Sequence, residues 1–332
     1  MQADHSLAPT SARLVADVGG SNARFGWIAP QGREADHVRT LPVSGYGSLA
    51  DAAGVYLAQL RHELGPDWVA PRQAALAVAT AVTGDAVDFT NSPWSFSQRG
   101  LRAALKLERL LVLNDFEALA LALPHLRPTQ LRPHAAAQAD VRAAKAVIGP
   151  GTGLGVASCV PTPSGWVALP GEGGHATLAP GSDFEFDLLA CIRREHDHVS
   201  AERLLSGIGL PVLHAAVCDL LGAAPPQANA PAIVDHGLAG DPLCRRTLDT
   251  FCALLGSFAG NVALTVGARG GVYIGGGIVP RLGDLFFASD FRERFEAKGR
   301  LRGYLSPIPT AVITDTLVAL TGARAALDAP AA

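Results

Sequence analysis

The sequence predicts an α/β protein built in two halves, and a pattern that occurs twice carries the prediction. Residues 14–28, LVADVGGSNARFGWI, set two apolar, β-prone runs around a Gly-Gly-Ser-Asn turn, the signature of a β-hairpin rather than of a strand feeding a helix. Residues 146–160, AVIGPGTGLGVASCV, again place a glycine-rich turn between two apolar runs. Laying Gly149 on Asp17 matches Gly151 to Gly19 and Gly153 to Ser21, so the chain reads as an internal duplication with a ligand held between its halves.

The residues of the first turn suit one chemistry. Glycines 19 and 20 let backbone N–H groups approach a ligand with no Cβ in the way, Ser21 and Asn22 add side-chain donors, Arg24 a cation and Asp17 a carboxylate. Amides and Arg24 for oxygens, with a carboxylate for the metal or its waters, is the set a magnesium-bound polyphosphate needs. A tight turn with nothing bound is the alternative. The second hairpin is not a dinucleotide fingerprint, which needs a helix directly after its glycines; here Gly155 to Val160 continues in small and β-branched residues and then meets Pro161 and Pro163.

Composition bounds the rest. At 332 residues and 48% hydrophobic the chain has material for a large core and suits two domains better than one. A net charge of −3 leaves no basic field for nucleic acid. No run approaches the ~18 apolar residues of a membrane span. Residues 1–12, MQADHSLAPTSA, have neither a basic start nor an apolar stretch, so no signal peptide is expected and they read as a short disordered lead-in. The five cysteines, 159, 191, 218, 244 and 252, are odd in number, widely spaced and mostly in apolar contexts. They read as core residues in a reducing compartment, which favours the cytoplasm.

After the first hairpin comes a polar stretch, 31–40. Residues 48–64 have helical spacing, with Leu49, Ala52, Val55, Tyr56 and Leu60 on one face. Residues 74–82 form a buried-strand candidate, 87–91 a short strand and 91–94 a loop. The run 110–113 is a strand ending in Asn114-Asp115-Phe116-Glu117, and ligands of open α/β sheets sit outside such carboxyl ends. Asp115 also suits a cap for the helix FEALALAL. The domain junction falls within 124–144, where no period holds. This gives a small α/β domain over 1–125, completed by the C-terminal helix at 316–332, and a large α/β domain over 126–315.

In the second half, the strand 165–169 leads into Pro170-Gly-Glu-Gly-Gly-His175, a loop whose backbone must pass close to something. A metal reading of Glu172, His175, His196 and His198 fits no helical pair and has no cysteine partners nearby; a structural His in a turn fits better. Ser182-Asp-Phe-Glu185 is a capping box opening a helix through about Arg194. Residues 198–207 read as a second short helix, with Ser200 as cap, Gly207 as stop and Glu202 in the first turn, where the helix dipole alone favours a carboxylate. Residues 221–233, with three prolines, read as a loop. Asp241-Pro242 opens a long apolar helix broken near Gly260. The strand 270–274 enters a triple-glycine turn at Gly275 and Gly276, a candidate adenosine contact or a tight crossover, and Pro280 then starts a helix. Residues 317–327 form a terminal helix.

Together these stretches resemble the bacterial glucokinase family, of the actin-like, hexokinase-type ATPase superfamily, from about Arg13 to about Ala326. The carriers are DVGGSNARF at 17–25, NDFEALA at 114–120, GTGLGV at 151–156, LPGEGGH at 169–175, HVSAERLLSG at 198–207 and GGVYIGGGIVPR at 270–281. The resemblance implies a two-domain actin-like (ribonuclease H-like) fold with an interdomain cleft, a homodimer, and ATP and Mg²⁺ as phosphoryl donor and metal. It implies that Asp115 is the general base and that Asn114, Asp115, Glu172, His175 and Glu202 hold the sugar. Asp17, Val18, Gly19, Gly20, Ser21, Asn22 and Arg24, with Gly151, Thr152 and Gly153, would cradle the phosphates, with Asp17 reaching the metal through water. The family usually has Thr where Ser21 stands, which keeps the hydroxyl. At 315–322 a more glycine-rich family pattern is replaced, so no nucleotide contact is carried over there.

A sister family of repressors and sugar kinases adds a cysteine-rich zinc cluster absent here, and no helix-turn-helix precedes the first hairpin, which disfavours a DNA-binding role. The expected reaction is transfer from MgATP to the 6-hydroxyl of glucose, with the domains closing over the sugar to exclude water. A sugar-binding regulatory protein without catalysis, a kinase of another hexose and an actin-like ATPase acting on a protein are the alternatives.

Overall fold

A computed structural model describes residues 11–89, 92–135, 139–224 and 228–329. The expected lead-in lies almost wholly outside them, as do Asn91, Pro225 and Pro226 of the expected loops. The chain forms two compact units, Met1–His125 with Thr162–Ala168 and Thr316–Ala332, and Leu126–Pro161 with Leu169–Asp315.

The first hairpin is β1 (Ala12–Val18) and β2 (Asn22–Ile28), antiparallel with Asp17 opposite Arg24. The polar stretch that follows contains a strand, β3 (Asp36–Pro42), paired to β2 at the sheet edge, where one flank is solvated and polar residues are tolerated. Helix α1 (Leu49–Leu64) is capped by Ser48, which accepts the Asp51 N–H. Leu49, Ala52, Ala53, Tyr56 and Leu60 are buried; Val55, expected with them, is 38% exposed because it falls off the i, i+4, i+7, i+11 stripe. There follow β4 (Pro71–Val78), β5 (Ala86–Asp88), β6 (Ser95–Ser97), α2 (Gln98–Ala104), β7 (Arg109–Asn114) and α3 (Asp115–Ala122). Strand β4 ends at Val78, four residues before expectation, because the Thr80 N–H turns back to the Val78 carbonyl at 2.8 Å.

The second unit begins with β8 (Leu131–Ala135), a strand inside the stretch read as without period; it survives there as an antiparallel edge. The second hairpin is β9 (Lys145–Pro150) and β10 (Leu154–Thr162), followed by β11 (Gly165–Gly171) and α4 (Asp183–Ile192), capped by Ser182. Then come α5 (Leu210–Leu220), α6 (Ala230–Leu238), α7 (Pro242–Val266), β12 (Val272–Ile274), α8 (Ile278–Leu282), α9 (Asp284–Ala288), α10 (Phe291–Glu296), α11 (Arg302–Leu305) and β13 (Thr310–Ile313). Helix α12 (Val318–Asp328) returns to the first unit.

The two sheets repeat one plan. Their orders are β3-β2-β1-β4-β7 and β11-β10-β9-β12-β13-β8. In each, the strand entering the glycine turn pairs antiparallel with the strand leaving it and parallel with a later strand on its other side.

Three helical expectations change. Residues 198–207 form capped turns, with Ser200 accepting the Arg203 N–H, because the Ala201, Glu202 and Gly207 N–H groups bond to other loops, while those of Leu204 and Leu205 turn back to the Ala201 carbonyl. The loop expected over 221–233 ends at Asn229, whose side chain caps α6, and Pro231 sits in the first turn, where a missing N–H costs no helical bond. Helix α7 is unbroken across Gly260. A Cβ at Gly256 or Gly260 would overlap the carbonyls of Phe291 and Phe295, so these glycines admit the backbone of α10 instead of bending α7. By length and composition α7 is also apolar enough to cross a membrane, contrary to the expectation from sequence. But 72% of its most apolar window is buried in the protein, where it carries the core of the second unit.

Strand alternation positions the site. Leu14, Ala16 and Val18 of β1 pack toward α1, whereas Val15 joins Ile28, Ala75, Leu320, Ala323 and Leu327 on the opposite face, under α12. Asp17 shares the parity of Val15, so it emerges on the face covered by α3 and α12, at the carboxyl end of the parallel strands.

Candidate active site

In the first unit, β1 and β7 end level on either side of β4: Val18 pairs with Val78, and Val78 with Asn114. Asn114 is the N-cap of α3, its amide oxygen accepting the Phe116 N–H at 2.9 Å and its NH₂ reaching the Thr80 carbonyl at 3.2 Å. Asp115 is thus the first residue of the helix rather than its cap. Burial pushes its carboxyl up to about 6, helped by the Asp17 charge and opposed by N–H groups of the cap, chiefly that of Phe116. Burial also raises Asp17, against the Arg24 guanidinium, which donates to Asp17 Oδ2 at 2.9 Å. Asp17 Oδ1 accepts no hydrogen bond among the described residues.

The hairpin turn beside them is closed by the Gly19 N–H on the Asn22 carbonyl, 2.9 Å, and the Ser21 carbonyl is taken by the Val43 N–H. Among the described residues the N–H groups of Gly20 and Ser21 have no partner. In the second unit the Gly151 N–H bonds the Gly153 carbonyl at 2.9 Å, while the Gly207 and Ile208 N–H groups take the carbonyls of Gly151 and Thr152 at 2.7 and 3.4 Å. There, among the described residues, the N–H groups of Thr152 and Gly153 have no partner. These are the positions that match Gly20 and Ser21 when Gly149 is laid on Asp17. Each half therefore holds two adjacent backbone donors ready for an anion.

The loop with Glu172 and His175 is fastened to the second hairpin and to the segment after His198. Glu172 bridges to Val156, the Glu202 N–H bonds the Gly174 carbonyl at 2.8 Å, and a Cβ on Gly174 would overlap the Leu154 carbonyl. That close approach is the reason for glycine. His175 Nε2 lies 4.0 Å from Glu172 Oε2 and 3.8 Å from Glu202 Oε1, beyond hydrogen-bond range, and the Glu172 and His175 side chains are open to solvent. These three side chains present carboxylates and an imidazole over one short span. His198 is held apart by Thr177, and among the described residues no three His, Cys, Asp or Glu are arranged to hold a metal ion. Gly276 has φ +74° and a Cβ there would overlap the Pro150 carbonyl, so this turn packs on the second hairpin.

The structure thus groups Asp17, Arg24, Asn114, Asp115 and the turn Val18 to Asn22 in the first unit. It groups Glu172, His175, Glu202, Gly151 to Gly153, Gly275 and Gly276 in the second. The sequence reading missed Glu117 and Thr80. The Glu117 carboxyl, raised by burial, receives the Asn114 backbone N–H; Asn114-x-x-Glu117 is a capping-box spacing that could have revealed it. Nothing local marks Thr80, whose carbonyl orients Asn114 from just beyond the end of the neighbouring strand β4.

The family model described as Glucokinase matches residues 14–330. The chain is 48% identical over 320 residues to the glucokinase of Aromatoleum aromaticum, covering 96% of this chain and 95% of that one. It is 50% identical over 316 residues to that of Chromobacterium violaceum, covering 95% and 89%. It superposes with a TM-score of 0.88, at 38% identity and 96% and 99% coverage, on the crystal structure of a glucokinase from an Antarctic psychrotroph.

Proposed function

The chain belongs to the glucokinase family and has its actin-like ATPase fold, and from that premise we propose that it transfers the γ-phosphoryl group of ATP to the 6-hydroxyl of glucose with Asp115 as general base. The observation that carries the reading is the Asp115 carboxyl, buried at the carboxyl end of β7 and poised near pH 6, with a second carboxylate and open hairpin amides in the same unit. A base works best when its pKa lies near the working pH, and such help is typically ~10²- to 10⁴-fold.

Asp115 accepts the proton of the 6-hydroxyl as that oxygen attacks the γ-phosphorus in line. Asn114, Glu172, His175 and Glu202 hold the other hydroxyls; each hydroxyl both donates and accepts, and carboxylates, an amide and an imidazole meet that need. A site built to bond particular hydroxyls rejects sugars that misplace them. The N–H groups of Gly20, Ser21, Thr152 and Gly153 and the Arg24 guanidinium take phosphate oxygens, and the adenosine rests on the turn at Gly275 and Gly276. Magnesium fits this set: it keeps most of its waters and needs one or two carboxylates beside the phosphates, and Asp17 offers the free Oδ1. Asp17 would hold it through water, and when bound it supplies neutralising charge to the phosphates. The five free thiols support a reducing, cytoplasmic setting. A silent sugar-binding regulator is not favoured, because the match over residues 14–330 is to glucokinases.

Asp115→Asn tests the assignment. The variant is expected to keep glucose binding by calorimetry and to lose turnover by at least ~10²; near-normal turnover would remove Asp115 from the role.

A further inference from the structure

Glu202 does more in this structure than face His175. Its side chain is three-quarters buried, and its two oxygens point to different machinery. Oε1 lies 3.8 Å from His175 Nε2, whereas Oε2 accepts the Leu154 N–H at 2.8 Å, at the point where the glycine turn of the second hairpin enters β10. A Cβ on Gly153 would overlap Oε2, so any larger residue in that position would have to displace the carboxylate. The same segment clamps the turn's other edge through the Gly207 and Ile208 N–H groups, which take the carbonyls of Gly151 and Thr152. Its own backbone is tied to the Glu172 loop by the Glu202 N–H on the Gly174 carbonyl, and the Ser206 hydroxyl braces the Glu202 carbonyl at 2.7 Å.

We infer that Glu202 is a positioning residue for the phosphate-binding turn Gly151–Gly153 as well as a sugar ligand, so that sugar affinity and nucleotide affinity are coupled through one carboxylate within the second unit. The inference rests on the proposed function and extends it. A charge-assisted bond to the Leu154 amide fixes which way the turn's donors face, and a sugar hydroxyl drawing on Oε1 acts on the same rigid group. Coupling of this kind is reciprocal: a sugar that changes the nucleotide's affinity has its own affinity changed by the nucleotide by the same factor.

The test is calorimetry on the full chain, with thermal melts to establish folding. In the unaltered protein saturating glucose is expected to change the Kd for MgADP about fivefold, an effect that Glu202→Ala removes, and no change would overturn the coupling. Each variant is then titrated with each ligand alone. Glu202→Ala is expected to raise the Kd for MgADP, measured without sugar, about tenfold, and Glu202→Gln, which keeps an acceptor for Leu154, is expected to restore most of that loss. Gly153→Ala, whose methyl displaces the carboxylate, is expected to raise the Kd for glucose without nucleotide about tenfold, while Glu172→Gln changes glucose affinity and leaves MgADP within about twofold. If Glu202→Ala leaves MgADP affinity and Gly153→Ala leaves glucose affinity within about twofold, the coupling is wrong while the kinase stands. If the unaltered protein binds MgADP but no glucose, both readings fall together.

Discussion

Asp115 shows what burial does to a single carboxyl. With its ionisation held up to about 6, kcat/KM for glucose is expected to rise with pH below about 6, with a slope of about one on a logarithmic scale, and to level off above it. Because the Asp17 charge contributes to that elevation, Asp17→Asn is expected to move the acidic limb of whatever activity remains to lower pH. The same shift has a consequence for stability. A folded-state pKa above the ordinary value of 3.8 means the native protein holds the proton more tightly than the unfolded chain does, so this group's favourable contribution is complete below about 4 and is lost as pH rises through about 6. Asp115→Asn, which cannot ionise, is therefore expected to melt at a higher temperature than the unaltered protein at pH 8, with the gap closing toward pH 4. Scanning calorimetry across that range checks it, and a lower melting point at pH 8 would contradict the burial account.

At the scale of elements, glycines mark where backbones meet. A Cβ on Gly322 of α12 would overlap the Ala118 carbonyl of α3, so Gly322→Ala must push the two helices apart and is expected to cost ~1–3 kcal/mol, read as a lower denaturant midpoint. Elements whose cause is local were legible in the sequence. Both hairpins follow from turn chemistry between apolar runs, α4 from Ser182 capping, and the Asn114-Asp115 corner from a strand ending in polar residues. What could not be read depends on distant partners. The turns at 198–207 carry a helical pattern, but the N–H groups of Ala201, Glu202 and Gly207 are drawn to Ala176, Gly174 and Gly151. Gly260 looked like a break because its neighbour, the Phe295 carbonyl, is 35 residues away in the chain. Strands β3 and β8 lie at sheet edges, where the apolar signal is weak.

At the scale of the whole molecule, the chain's last helix completes its first unit. Leu320, Ala323 and Leu327 pack with Val15, Ile28 and Ala75, and Arg13, almost wholly buried, pairs with Asp328. Ending the chain at Leu317 would expose that face and take away the guanidinium's carboxylate partner, leaving it on the Gly32 carbonyl. At ~1.5–3 kcal/mol per large apolar side chain against a typical stability of ~5–15 kcal/mol, the truncated protein is expected to lose cooperative melting. The duplicated sheet plan gives each half a hairpin with two amides that have no partner among the described residues; the proposed activity assigns base catalysis to the buried Asp115 of the first unit and sugar binding to Glu172 and Glu202 of the second. The most direct test of that claim is ADP release from MgATP with glucose, mannose, fructose, N-acetylglucosamine or no sugar added. The account predicts strong release with glucose and little without sugar. Release that ignores the sugar, or none with any sugar while glucose still binds, would contradict it.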